Sequence, residues 1–307
     1  MAFQLANLNV FVPGETVGAI TNGFLVLLNA GVDEVDPNYG KVAIVDLSDG
    51  SSREFLMTAP SSSHKFRSTG GAVAVGNYVW CAYSASASVD SHTTFVRIEP
   101  STETATYYAG SGHWSQMSIA PMLASDGNGL LRAFSTNRSG ASNPVVHPAI
   151  NPTTGVISGG TYVYNTVMGN PATAGGVMYM PGLYYGSWSL RWFSFEPVGQ
   201  SWSEPSGIAG AAGQAVTVGA KTYYTNGAVY VFDHATTTLA ALGGSGMTGR
   251  GLAYKDGVLY THTGSQITAY AIDGGSSASV APSPVASSGS MAYTLPSGKV
   301  WFPVPER

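Results

Sequence analysis

The chain has 307 residues, 44% hydrophobic and 10% charged, with a formal net charge of -4 and a pI near 5.8. Ordinary domains carry about 25% charged residues, so solubility here falls to Ser, Thr, Asn, Gly and the backbone, a profile that does not suit a charged cytosolic enzyme. The 13 Lys and Arg residues are scattered singly, which excludes the clustered phosphate contacts of a nucleic-acid binder, and no apolar run approaches the ~20 residues of a membrane span.

In chain order, residues 3–12 form an apolar stretch with no cassette of its own. From Val17 onward a cassette recurs about seven times: a small-residue strand, a tight glycine turn, an aromatic strand, then a third strand ending in a carboxylate or amide. The clearest first halves start at Gly71, Gln214, Gly251 and Ser290, with looser copies near Val17, Met117 and Ala172. The third strands end at Asp46, Glu99, Asn151, Glu196, Asp233 and Asp273, about 37 to 53 residues apart, which is blade-sized spacing. Period-two alternation, as in Thr94-Phe95-Val96-Arg97-Ile98-Glu99, marks strands throughout, and no segment sustains an amphipathic helical pattern. Asn22-Gly23, Asp49-Gly50, Asp126-Gly127, Asn226-Gly227 and Asp256-Gly257 supply turn chemistry between strands.

The expected architecture is all-β: a single β-propeller over residues 1–307, with seven blades of about four strands. The expected blades span residues 17–59, 70–110, 117–164, 170–208, 214–243, 250–282 and 287–306, the last closed by pairing with residues 3–12. A six-bladed ring with an irregular extra hairpin is the alternative. Small residues belong on the innermost strand because inner strands crowd at the axis, and aromatics on the second strand fill the space between blades. The recurring carboxylates are expected to accept hydrogen bonds from turn N–H groups. Repetition of one role in every blade argues against catalysis by them.

Strand-to-strand loops are short on one face and long on the other, so binding is expected on the elaborated face. His113, Trp114, Tyr184, Tyr185 and Trp188 are its candidate contact residues, because Trp and Tyr faces stack on sugar rings or anchor protein contacts. Asn137 and Arg138 supply directional hydrogen bonds, with His64, Arg67, Arg191 and His262 expected close by. The loop Asp33, Glu34, Asp36 and Asn38 offers oxygen ligands for calcium. It lacks the glycine and terminal glutamate of an EF-hand, so it reads as a solvated acidic loop. The six histidines have no zinc-type spacing. No cofactor is expected.

Cys81 is the only cysteine, which excludes an intrachain disulfide and suits a buried, inert thiol. The opening Met1-Ala2-Phe3-Gln4 has neither a basic start nor a continuous apolar core, so no signal peptide is expected. No nucleophile elbow, P-loop or dinucleotide fingerprint is present. The carboxylates outside the cassette ends are few, among them Glu15, Asp90, Glu103 and Glu204. No enzymatic activity is expected. Ser125-Asp126-Gly127 faintly resembles the Asp-box turn of sialidases but lacks its Thr-Trp ending, so a plain hairpin turn is expected there.

The Gly/Ala/Ser/Thr/Tyr-rich, Lys-poor strands, the Met start and the single cysteine resemble the propeller-containing minor tail proteins of tailed bacteriophages. The Trp-Asp signature of WD40 repeats and the double-glycine pattern of kelch repeats are both missing. The resemblance implies a non-enzymatic virion component whose partners are other tail subunits or a host-surface glycan. A carbohydrate-binding or glycan-processing propeller outside a virus is the alternative.

Overall fold

The computed structural model describes residues 11–12, 16–29, 39–61, 65–67, 69, 71–84, 93–109, 122–134, 145–163, 166–167, 172–183, 190–198, 201–206, 215–242, 248–262, 266–272, 276–282, 293–294, 300–301 and 304–305. Among them no helix occurs. After β1 (Phe11–Val12), the first blade is an antiparallel meander of β2 (Thr16–Thr21), β3 (Phe24–Asn29), β4 (Lys41–Asp46) and β5 (Ser52–Leu56). The second repeats it with β6 (Ala72–Val75), β7 (Tyr78–Ser84), β8 (Thr93–Glu99) and β9 (Thr104–Ala109). The third uses β10 (Met122–Ser125), β11 (Leu131–Phe134), β12 (Val145–Ile150) and β13 (Ile157–Val163).

In the fourth blade two short segments hold the inner position. Both β14 (Thr166–Val167) and β15 (Ala172–Ala174) pair with the same side of β16 (Val177–Leu183), which continues to β17 (Leu190–Glu196) and β18 (Ser201–Ser206). Blade five has β19 (Ala215–Val218), β20 (Lys221–Asp233) and β21 (Thr238–Ala241). β20 is a hairpin: the His234 N–H donates to Ala220 O at 2.9 Å, and the Tyr224 and Tyr230 rings stack 5.6 Å apart. Its tip, Gly227 and Ala228, pairs with Gly249 and Thr248 of β22 (Thr248–Lys255), stitching blade five to blade six. Blade six continues with β23 (Val258–His262), β24 (Gln266–Ala271) and β25 (Ser276–Pro282).

The molecule is therefore an all-β propeller of six blades with three or four strands each, which corrects the seven-blade expectation in favour of its alternative. In place of a seventh sheet, the described residues form a short hairpin of two two-residue strands, β26 (Tyr293–Thr294) with β27 (Val300–Trp301), beside β22. Val304 and Pro305 pair with Phe11 and Val12 rather than extending this hairpin, and Pro305 has no N–H to donate to a ladder. The chain ends do pair, Phe11 with Val304 and Val12 with Pro305, through β1 and β28 (Val304–Pro305), and the pairing is parallel.

Inner strands of successive blades neighbour one another, β2 with β6, β6 with β10, β15 with β19 and β19 with β22. Separate apolar cores fill the seams between blades. Leu28, Val42, Ile44, Phe66, Cys81 and Tyr83 join blades one and two, whereas Trp80, Phe95, Leu131 and Ile150 join blades two and three. Met122, Phe134, Met180 and Phe195 follow at the next seam, and Phe232, Leu239 and Tyr179 at the one after. Alternation explains this division: neighbours such as Trp80 and Cys81 point to opposite faces of one sheet, so each strand feeds two cores. The aromatic second strands fill these seams as expected, with Trp80, Tyr83, Tyr224 and Phe134 almost wholly buried.

The turn chemistry is met by backbone geometry. Asn22 and Gly23 have φ of 47° and 82°, and Asp256 and Gly257 have 48° and 81°. Two successive positive φ values are what a two-residue hairpin turn of the twist-matched type requires.

Candidate functional site

A meander blade places its first-to-second and third-to-fourth strand turns on one face of the ring. On that face four cassette-ending side chains, three carboxylates and one amide, accept bonds from their own turns. Asp46 Oδ1 accepts the Ser48 N–H at 2.9 Å, and Asn151 Oδ1 accepts those of Thr153 and Thr154, both at 3.0 Å. Glu196 Oε1 accepts the Val198 N–H at 2.9 Å, and Asp233 Oδ1 accepts those of Ala235 at 2.9 Å and Thr236 at 3.1 Å. At Asp233 the Thr236 N–H bond favours the ionised carboxylate and is the chief reason that it sits below its ordinary value of 3.8. Asp49, held mainly by Ser51, is lowered in the same way. The expected role in turns is thus observed at four of the cassette ends.

Asp126 caps a turn as well, accepting the N–H groups of Asn128 at 2.8 Å and Leu130 at 3.1 Å. Its other oxygen lies 3.3 Å from Arg132 Nε, with the two side chains 1% and 6% exposed. The Asp-box-like sequence is therefore a hairpin turn with a buried ion pair beneath it.

Arginines on this face tie blade to blade. Arg53 of β5 donates from Nη2 to Pro100 O at 2.9 Å, in the third-to-fourth turn of blade two. Its Nε also lies 2.7 Å from Glu103 Oε1, a charge contact whose angle makes no hydrogen bond. Arg97 of β8 donates to Thr153 O at 3.1 Å, in the equivalent turn of blade three, and lies 4.5 Å over the Tyr78 ring. Arg132 of β11 donates to Pro197 O at 3.3 Å, in the equivalent turn of blade four. Three successive seams share one device, an arginine reaching the next blade's outer turn. Sequence reasoning missed it because the three arginines sit on a fourth, a third and a second strand, so no spacing repeats.

On the opposite face, the loop-side strand ends carry buried polar groups. Asn29, Ser84, Thr93 and Thr94 are at most 6% exposed, ending β3 and β7 and beginning β8. Tyr83 donates its hydroxyl proton to Asn29 O at 3.1 Å, and the Arg67 N–H reaches Ser84 O at 3.1 Å. Thr94 Oγ1 and Arg67 Nε are buried with no partner among the described residues. Arg67 is thus the one expected rim cation whose surroundings are described. His113, Trp114, Asn137, Arg138, Tyr184, Tyr185 and Trp188 lie outside the described residues, as do His64 and the acidic loop Asp33, Glu34, Asp36 and Asn38. Arg191 lies within β17, opposite Gly182, and His262 ends β23.

Cys81 is wholly buried and its thiol is pushed up to about 12 by that burial, with Thr69 Oγ1 at 2.9 Å. This matches the expected inert thiol, since the thiolate is the reactive form.

No protein-family model matches the chain, and no curated protein sequence matches it. Solved structures do. A putative 6-phosphogluconolactonase from Bacteroides fragilis NCTC 9343 is similar at a TM-score of 0.57 and 15% identity, covering 90% of this chain and 85% of that one. A puromycin hydrolase gives 0.58 and 10%, covering 94% of this chain and 49% of that one. The tricorn protease gives 0.53 and 11%, covering 87% and 26%. This chain spans about half of the puromycin hydrolase chain and about a quarter of the tricorn protease chain. At these identities the likeness is one of fold.

Proposed function

We propose that this chain is a non-enzymatic propeller of a virion, a minor tail protein that contacts neighbouring tail subunits or a host-surface glycan through its loop-rich face. The observation that carries the reading is the unequal use of the two faces. On the short-turn face, Asp46, Asp126, Glu196 and Asp233 are spent on turn N–H groups, and Arg53, Arg97 and Arg132 on seams. On the other face, the strand ends at Asn29, Ser84 and Thr94 carry buried polar groups rather than turn-capping acids. The tail assignment itself rests on composition. Mass spectrometry of gradient-purified particles from the source checks it: the chain co-sediments with tail proteins, and its absence from the particles overturns the assignment. Glycan-array binding by the native chain, weakened in Trp114→Ala and Trp188→Ala, would place the contact on the expected rim.

One observation favours a second reading, a carbohydrate-processing propeller. The putative 6-phosphogluconolactonase matches over 90% of this chain and 85% of its own. Turnover in a panel of sugar lactones and glycans would establish that reading and displace the first.

A further inference from the structure

We propose that His234 makes the seam between blades four and five a pH-operated latch, closed while the imidazole is neutral and loosened when it gains a proton. The three preceding seams are held by arginines, which stay charged at any working pH. At the next seam no such donor is seen among the described residues. The outer turn of blade five instead contributes His234, which packs against Tyr179 of blade four at 4.6 Å and against Phe232 at 5.2 Å, edge to face in both cases. Tyr179 and Phe232 themselves meet at 5.0 Å, so the imidazole completes the aromatic contact that joins the two blades.

The polar surroundings suit one protonation state. Nε2 lies 2.8 Å from Thr222 Oγ1, which in turn lies 3.0 Å from Thr217 Oγ1 of β19. Nδ1 is buried and has no partner among the described residues. A neutral ring can keep its one N–H on Nε2, toward Thr222 Oγ1, and leave Nδ1 as a lone pair. A protonated ring must hold N–H groups at both nitrogens, and the one at Nδ1 has no acceptor among the described residues. The groups facing the ring divide in their effect. Asp233 favours the cation, but its carboxylate is already held by the Ala235 and Thr236 N–H groups. Lys221 on the same hairpin is exposed and acts on Asp233 rather than on the ring, and the Tyr179 phenol is itself raised by burial. Desolvation outweighs Asp233, so His234 is lowered from 6.5.

The linkage follows. A base whose folded-state value lies below its unfolded value contributes nothing to the pH dependence above the unfolded value. As pH falls through 6.5 toward the folded value, the unfolded or opened form binds the proton first and the seam loses stability. Hydrogen exchange of the whole chain, corrected for intrinsic rates, tests this above and below the ordinary histidine value of about 6.5. Peptides covering 215–241 are expected to lose protection on the acid side, while those covering 41–56 keep it, and His234→Gln is expected to remove the difference. Equal protection at both pH values in the native chain, or an acid loss that persists in His234→Gln, overturns the proposal. Should that variant fold poorly, NMR titration of the native imidazole decides: a midpoint below the free-histidine value is expected, and a midpoint at or above it overturns the proposal.

Discussion

Arg132 reaches from the second strand of blade three to the carbonyl oxygen of Pro197, in the outer turn of blade four, at 3.3 Å. The same guanidinium is paired inside its own blade with Asp126 and lies 5.7 Å over the Phe195 ring of blade four. One side chain therefore satisfies a buried carboxylate, caps a neighbouring turn and covers an aromatic core. Guanidinium suits this task because its donors are fixed in a plane and its charge is weakly hydrated.

Removing that side chain should cost more than removing a surface charge. Arg132→Met leaves the Asp126 carboxylate buried without its cation, an arrangement that typically costs about 3–5 kcal/mol. Urea unfolding followed by tryptophan fluorescence should show the loss. Adding Asp126→Asn should restore part of it. By contrast Lys41 and Glu54, 2.9 Å apart with the carboxylate half exposed, form a pair worth about 0–1 kcal/mol, and Lys41→Met should be nearly silent.

Gly155 and Gly76 separate two kinds of glycine requirement. Both have positive φ, 73° and 57°. A Cβ at Gly155 would overlap the Tyr108 ring, which stacks on Trp80 with centroids 5.2 Å apart, whereas a Cβ at Gly76 meets open space. Gly76→Ala should cost about 1–2 kcal/mol from backbone conformation alone. Gly155→Ala should add a further ~1–3 kcal/mol from displacing the ring. Equal losses in thermal unfolding would show that Tyr108 moves aside freely.

Cys81 should resist modification. With the thiol buried and its ionisation pushed up to about 12, reaction with Ellman's reagent in the native state should proceed no faster than global unfolding. Full reactivity should appear in denaturant. Rapid labelling of the native chain would show that the seam between blades one and two opens locally.

Acid sensitivity should follow the turn carboxylates. Asp233 and Asp49 are both held below 3.8 by turn N–H bonds, so each contributes stability that is present above that value. The contribution disappears as pH falls through the lower, folded-state value. Stability measured across this acid range should decline in the native chain and flatten in Asp233→Asn. An unchanged slope in the variant would show that the turn bonds do not depend on the charge.

Much of the fold is legible because strand structure is local. Alternation at Thr94 through Glu99, positive-φ chemistry at Asn22-Gly23 and the recurring acids at strand ends each depend on residues within a few positions. Asp46, Glu196 and Asp233 behave as their spacing implies, since an acid can reach an N–H two residues ahead without help from the rest of the chain. The blade count was less legible. The last cassette has the right opening residues at Ser290, yet whether a full sheet follows depends on which strands come to lie beside it, and among the described residues only β26 and β27 pair there while Val304 and Pro305 pair with β1.

The chain's sequence by itself determined an all-β ring of repeated meanders, the small inner and aromatic second strands, the turn acids and the inert thiol, because pattern, turn chemistry and repetition are encoded at short range. The tertiary structure alone decided which blades meet through which side chains. Arg53, Arg97 and Arg132 reach partners 47, 56 and 65 residues away from three different strand positions, and His234 gains its meaning only from Tyr179 across the seam. Those contacts depend on where separate sheets come to rest against one another, and no periodicity within a single strand carries that information.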